Sequence, residues 1–161
     1  MTEETQAPEA NNAQQFTIQK IYTKDISFES PNSPEVFRGK DWTPTLDVQL
    51  TSKSRSISEN VFEVVLNITV TATLDADRTA YLAEVQQAGI FSMSGFENSE
   101  MHYMLGSYCL NILFPFAREA LSDLVTRGGF PQMLLNPVNF DAMYQQKMQQ
   151  EQDNAAAQPK Q

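Results

Sequence analysis

The chain has 161 residues, a formal net charge of −9 and a single cysteine, Cys109. That length fits one domain, and an acidic surface suits a basic protein partner while disfavouring nucleic acid and anionic membranes, whose neutralisation needs clustered Lys and Arg. A lone cysteine excludes an internal disulfide and fits a reducing compartment; with no signal peptide and no membrane span to read, a cytoplasmic location is expected.

Residues 1–15 hold Glu3, Glu4, Glu9, Pro8 and several Asn and Gln. Residues 151–161 are mostly Gln, Ala and charge. Neither stretch has enough apolar surface to offset the entropy of ordering it, so both read as disordered tails around a domain at 16–150.

The first half of the domain reads as β. Over Phe16–Glu29, alternation puts Phe16, Ile18, Tyr22, Ile26 and Phe28 on one face and Thr17, Gln19, Thr23, Asp25, Ser27 and Glu29 on the other. Ser30-Pro31-Asn32-Ser33-Pro34 breaks that strand, and Val36–Thr43 is a loop carrying Phe37 and Trp42. After Pro44, Leu46, Val48 and Leu50 alternate with Asp47 and Gln49 in a second strand. In Val61–Leu74, Phe62, Val64, Leu66, Ile68, Val70 and Ala72 line one face of a third, rich in the β-branched residues that strands favour. Asp75-Ala76-Asp77 is a hairpin turn, and Arg78–Met93 a fourth strand. Four consecutive strands suggest an antiparallel meander with one wet face.

The second half reads as α. Asn98 or Ser99 caps a helix that runs to about Arg127, where Gly128-Gly129 stops it. Pro115 inside it should kink or split it. Between Met101 and Ala117 the helix is apolar nearly all round. Packing on its own sheet needs only one apolar stripe, so an oligomer with helices at the interface is expected. Phe130–Val138 is a proline-punctuated link, and Asn139 caps a last helix from Phe140 to about Gln150.

Catalytic patterns are missing from the sequence. It has no Gly-rich phosphate loop of either common spacing. His102 is the single histidine, Cys109 sits among apolar helix residues, and turn chemistry accounts for Asp75 and Asp77. No enzyme activity, cofactor or metal site in this chain is expected.

Several strings carry a resemblance. Gly106-Ser107-Tyr108-Cys109-Leu110-Asn111-Ile112-Leu113-Phe114-Pro115-Phe116-Ala117-Arg118-Glu119 resembles the SecB-family pattern GxYCPNxLFPYARE. Arg127-Gly128-Gly129-Phe130-Pro131 and Leu135-Asn136-Pro137-Val138-Asn139-Phe140-Asp141-Ala142 resemble its RGxFP and LxPVNFDA segments. Ile21–Glu29 and Glu84–Phe91 agree as well, so the likeness spans about Phe16–Met148. The chain departs from the pattern at Leu110 (usually Pro), Phe116 (usually Tyr) and Ala83 (often Cys).

The resemblance implies an α+β fold, a four-stranded antiparallel sheet with a long helix and a C-terminal helix on one face, assembled as a homotetrameric dimer of dimers. It implies an ATP-independent chaperone that holds unfolded secretory precursors and passes them to SecA. It assigns SecA contact, through that partner's zinc-bearing basic segment, to Asp25, Glu29, Leu82 and Glu84. It assigns assembly to Tyr81, Ala83, Val85 and Gln87. The client groove draws on Phe37, Trp42, Phe96, Met101, Tyr103, Met104, Tyr108, Phe130, Leu134 and Phe140, where aromatic and Met side chains suit adaptable binding. Ordinary core packing is the competing reading for each aromatic. A small-ligand carrier with an enclosed apolar pocket, or a purely structural oligomer, are the rival functions.

Overall fold

The computed structural model describes residues 13–75 and 77–158. The acidic segment before Ala13, and Ala76 of the hairpin turn, lie outside them. Four strands form one antiparallel sheet: β1 (Gln15–Glu29), β2 (Thr45–Ser58), β3 (Val61–Asp75) and β4 (Arg78–Ser94). Three helices follow: α1 (Asn98–Tyr103), α2 (Cys109–Arg127) and α3 (Phe140–Ala157). A π-helical turn, Met104–Tyr108, joins α1 to α2.

The strand order is β1-β4-β3-β2, which corrects the simple meander. Only β2, β3 and β4 follow one another in space. β4 and β3 carry the most apolar sequence, and the central places bury most surface. β1 and β2 take the edges. The connection between them therefore crosses the end of the sheet, where Ser30 Oγ donates to Ala80 O at 3.1 Å and Asn32 Nδ2 to Thr79 O at 2.9 Å. Within this connection the expected loop holds one 3-10 turn, Glu35–Arg38.

Two register shifts in β1, between Ile18 and Lys20 and between Thr23 and Asp25, change its faces. An extra residue at each bulge reverses the alternation that follows. Tyr22, expected beside Phe16, pairs with Ala88 on the face turned away from the helices. Ile21 takes the helix side, across from Gly89. The second bulge restores the phase, so Ile26 and Phe28 return to the helix side.

α2 covers that side. Leu113, Ala117, Leu121 and Val125 recur every four residues and are fully buried, the stripe that one helix face presents to a sheet. The helix cap lies at Glu97, one residue before the expected position. Its N–H donates to Glu100 Oε2 at 3.0 Å, half of a capping box. Helix continues unbroken through Pro115. Asn111 and Pro115 are both exposed, so the carbonyl that loses its partner lies on the wet side. The departure from α geometry falls earlier, at the π turn. There a Cβ on Gly106 would lie 2.8 Å from the Tyr144 ring, so the absent side chain lets α3 approach.

Asn139 caps α3 as expected, accepting from the Ala142 N–H at 3.0 Å. The helix runs to Ala157, past the expected end near Gln150 and into the segment read as a disordered tail. Gln, Glu and Ala are good helix formers, and an exposed helix can continue on propensity without packing. β2 likewise extends to Ser58 through a polar, solvent-facing half.

Candidate binding surfaces

The sheet face turned away from the helices gathers the four residues assigned to a basic partner. Glu29 pairs with Leu82, Ser27 with Glu84 and Asp25 with Gln86. Because side chains alternate along a strand, Asp25, Glu29, Leu82 and Glu84 all point to this face. Glu84 accepts from Thr69 Oγ1 at 3.3 Å. Among the described residues, no Lys or Arg lies within ion-pair distance of Asp25, Glu29 or Glu84.

Further along the same face sits Glu63, only 5 % exposed. It is the one charged residue between Val61 and Leu74. Its Oε1 accepts from Lys24 Nζ at 3.0 Å and from Arg55 Nε at 2.9 Å. The Tyr22 hydroxyl donates to Oε2. Hydrogen bonds from Tyr22 and then Lys24 lower the Glu63 pKa to about 2, against the opposing effect of burial. Burial first, then the bond to Glu63, raises the Tyr22 pKa to about 12. The network spans β1, β3 and β2, passing over the small side chain of Ala88 on β4. A single glutamate in a β-branched strand was its only trace in the sequence. Its partners depend on strand order and on the first β1 bulge, which turns Tyr22 to this side.

The helix side separates the proposed groove residues into several places. Phe37, Trp42 and Phe130 form one cluster with Phe28 and Tyr81. Ring centroids stand 4.9 Å apart for Phe37–Phe130, 5.4 Å for Trp42–Phe130 and 5.0 Å for Tyr81–Phe130. Phe37 is 48 % exposed, whereas Phe130 at the centre is 5 % exposed. Phe130 is thus the floor of this cluster and not an accessible contact. Phe96, Tyr103 and Met104 share a hollow of about 380 Å³ with Gln14, Ser99 and Glu100. Met101 is half-buried against the core. Tyr108 is exposed and meets Phe16 edge-on at 5.2 Å.

Leu134, 66 % exposed, lines a third site, a cavity of about 370 Å³. Its walls include Leu46, Val48, Leu50, Phe114 and Met133. Leu46 and Val48 read in the sequence as a strand's buried face. They are exposed because β2 is an edge strand that α2 does not reach. Phe140 is 2 % exposed and packs edge-on against Phe114 at 5.6 Å, so it anchors α3 and offers no open surface. Beside it, between β2 and α3, lies a cavity of about 490 Å³ reached by Leu105, Leu110, Met143 and Tyr144. The polar side of α3 is held by Asp141, which accepts from Tyr103 OH at 2.7 Å and from Ser107 Oγ, and by Tyr144 OH, 2.7 Å from His102 Nδ1.

Tyr81, Ala83, Val85 and Gln87, assigned to assembly, are buried on the helix side of β4. Gln87 Nε2 donates to Tyr22 O at 3.1 Å. Their side chains pack this chain's own core. The open apolar positions nearby are Ile18 and Ile26 on β1 and Phe116 on α2.

The family profile described as preprotein translocase subunit SecB matches residues 9–151. A protein-export protein SecB from Nitrosococcus oceani is 56 % identical over 153 residues, covering 94 % of this chain and 93 % of that protein. The relative of the same name from Methylococcus capsulatus is 56 % identical over 155 residues, 96 % of each chain. That from Hydrogenovibrio crunogenus is 55 % identical over 143 residues, 89 % of this chain and 95 % of the relative. Among solved structures, a SecB-like chaperone from Mycobacterium tuberculosis, in complex with a peptide from an antitoxin, shares the fold. It has a TM-score of 0.62 at 18 % identity, covering 76 % of this chain and 90 % of that one.

Proposed function

The chain belongs to the SecB family of protein-export chaperones, which are not enzymes, and from that premise we propose that it is an ATP-independent holdase that keeps secretory precursors unfolded and hands them to SecA in the cytoplasm. The observation that carries this reading is the apolar surface left open beside α2. Leu134, Phe37, Leu46, Val48 and Tyr108 are all exposed, and Leu134, Leu46 and Val48 share one cavity. An exposed aromatic or aliphatic patch of this kind marks a binding surface for other chains.

The physics of holding follows from the arrangement. An extended, unfolded segment lays its apolar side chains into the cavity lined by Leu134 and against the aromatic rim of Phe37 and Trp42. Phe114 and Met133 keep that cavity in shape, and Phe130 supports the rim from beneath. The outer edge of β2 offers backbone groups for strand addition. Each site binds weakly and tolerates many sequences. Several engaged at once raise the affinity of one chain by about 10²–10⁴-fold through effective concentration. No nucleotide enters this scheme, because transfer to a partner releases the client.

Assembly as a dimer of dimers supplies the several sites. In this reading two copies join sheets along β1, with Ile18 and Ile26 at the join, and dimers meet through α1 and α2, which covers Phe116. Tyr81, Ala83, Val85 and Gln87 act in assembly through the helix that they support. SecA contacts the opposite face at Asp25, Glu29, Leu82 and Glu84. Acidic side chains there attract a basic segment, and the contact weakens with salt.

Trp42 is the only tryptophan, and it packs in the Phe37–Phe130 cluster. Titrating a tryptophan-free unfolded precursor should shift its emission without added nucleotide, and Leu134→Glu should weaken that titration. An emission that does not respond, together with no change in precursor binding on Leu134→Glu, removes the holdase reading. For the partner, Glu84→Lys should abolish SecA binding and leave the precursor titration unchanged.

A further inference from the structure

Taking the outer sheet face as the SecA surface, we infer that Glu63 is a positioning residue for it: its buried carboxylate draws the Lys24 ammonium to 3.0 Å and so keeps that cation off the neighbouring Asp25. The inference rests on the preceding assignment of the acidic face and adds a residue that does not itself meet the partner.

Lys24 is the extra residue of the second β1 bulge, between Thr23 and Asp25, and has no partner in the β4 register. A bulge leaves its extra residue outside the strict alternation, and a lysine there has a long flexible stem. Unrestrained, its ammonium is free to swing to the carboxylate next to it in sequence. Such a pair would offset charge at Asp25, where the basic segment is to bind. Glu63 competes for that ammonium and wins for structural reasons. It is 5 % exposed, so water competes little for its bonds. Tyr22 fixes one oxygen, and Lys24 and Arg55 converge on the other. Charge-assisted bonds to a buried, oriented carboxylate outweigh a pair between two mobile exposed groups. The outcome is visible on the face itself. Among the described residues, Asp25, Glu29 and Glu84 have no cationic partner, while Lys24 and Arg55 both do.

The test measures SecA affinity by calorimetry at about 0.15 M salt, where charges more than about 8 Å apart are screened. Glu63→Gln should weaken binding about fivefold, the worth of one new ion pair competing at Asp25. Glu59→Gln makes the same charge change in the exposed turn before β3 and should alter binding less than twofold. Adding Lys24→Gln to Glu63→Gln should restore the wild-type affinity. Equal losses from Glu59→Gln and Glu63→Gln, no loss from Glu63→Gln, or a failure of Lys24→Gln to restore binding would each overturn the inference. If Glu63→Gln does not fold, Lys24→Gln alone decides. A withdrawn lysine predicts less than twofold change, and a tightening of twofold or more contradicts it. Glu84→Lys runs alongside. Should it bind SecA as well as the wild type, the assignment of the face has failed, and the inference falls with it.

Discussion

The rings of Tyr81 and Phe130 pack with centroids 5.0 Å apart, tying the helix side of β4 to the segment that leaves α2. Around this contact Phe28, Trp42 and Phe37 complete one cluster whose floor is buried and whose rim is open. Stability and binding thereby divide between neighbouring aromatics. Phe130→Ala should cost about 3–5 kcal/mol of folding stability through lost burial and a residual cavity. Phe37→Ala, at the exposed rim, should cost less than about 1 kcal/mol while weakening precursor binding several-fold. Denaturant unfolding and the Trp42 titration separate the two effects.

The Glu63 network makes stability depend on pH in a defined direction. The carboxyl pKa falls from 4.5 unfolded to about 2 folded. A depressed carboxylate pKa stabilises the native state fully above the unfolded value and loses that contribution as pH falls through the folded value. The difference in midpoint temperature between wild type and Glu63→Gln should hold near neutrality and narrow between about pH 5 and pH 2. Thermal scans across that range check it. A difference that stays constant contradicts the network's ionised state.

Close approach at Gly106 predicts a local effect. A methyl there would sit 2.8 Å from the half-buried Tyr144 ring, which must shift and strain its bond to His102. Gly106→Ala should raise amide exchange through residues 140–157, since α3 is otherwise held by Phe140 and the Asp141 bonds. Global stability should change by less than about 2 kcal/mol, because the Leu113–Val125 stripe of α2 is untouched. Exchange measured by mass spectrometry distinguishes loosening of α3 from unfolding.

Leu134→Glu tests the open wall of the cavity beside β2. The residue is 66 % exposed, so its loss should shift stability by about 0.5 kcal/mol or less. A carboxylate there should weaken precursor binding about tenfold by adding charge where an apolar side chain lodges. Equal precursor affinity for the variant would move the client path away from this cavity.

The parts legible in the sequence are those that depend on neighbours along the chain. The β3 alternation from Phe62 to Ala72, the helix that ends at Arg127 before Gly128-Gly129, and the Asn139 cap all follow from local periodicity or local bonding. What escaped depends on partners distant in sequence. The β1 bulges reverse Tyr22 and Ile21, and nothing in the residues marks where an extra one is inserted. β1 joins β4 and not β2, and that places Tyr22 and Lys24 across β4 from Glu63. Phe130 and Phe140 belong to motifs that point to binding, yet each is covered by rings from other elements. Leu46 and Val48 have a core strand's pattern, and only the edge position of β2 exposes them. The four acidic-face residues were named through resemblance. Their common face follows from strand parity.

Apolar surface beside α2 should hold non-native chains without nucleotide. The direct measurement is the refolding rate of an unfolded secretory precursor, with and without this protein, in nucleotide-free buffer. Refolding should slow in proportion to added protein, Leu134→Glu should lift much of the delay, and Glu84→Lys should leave it intact. A precursor that refolds at its unassisted rate in excess of this protein would rule out a holdase.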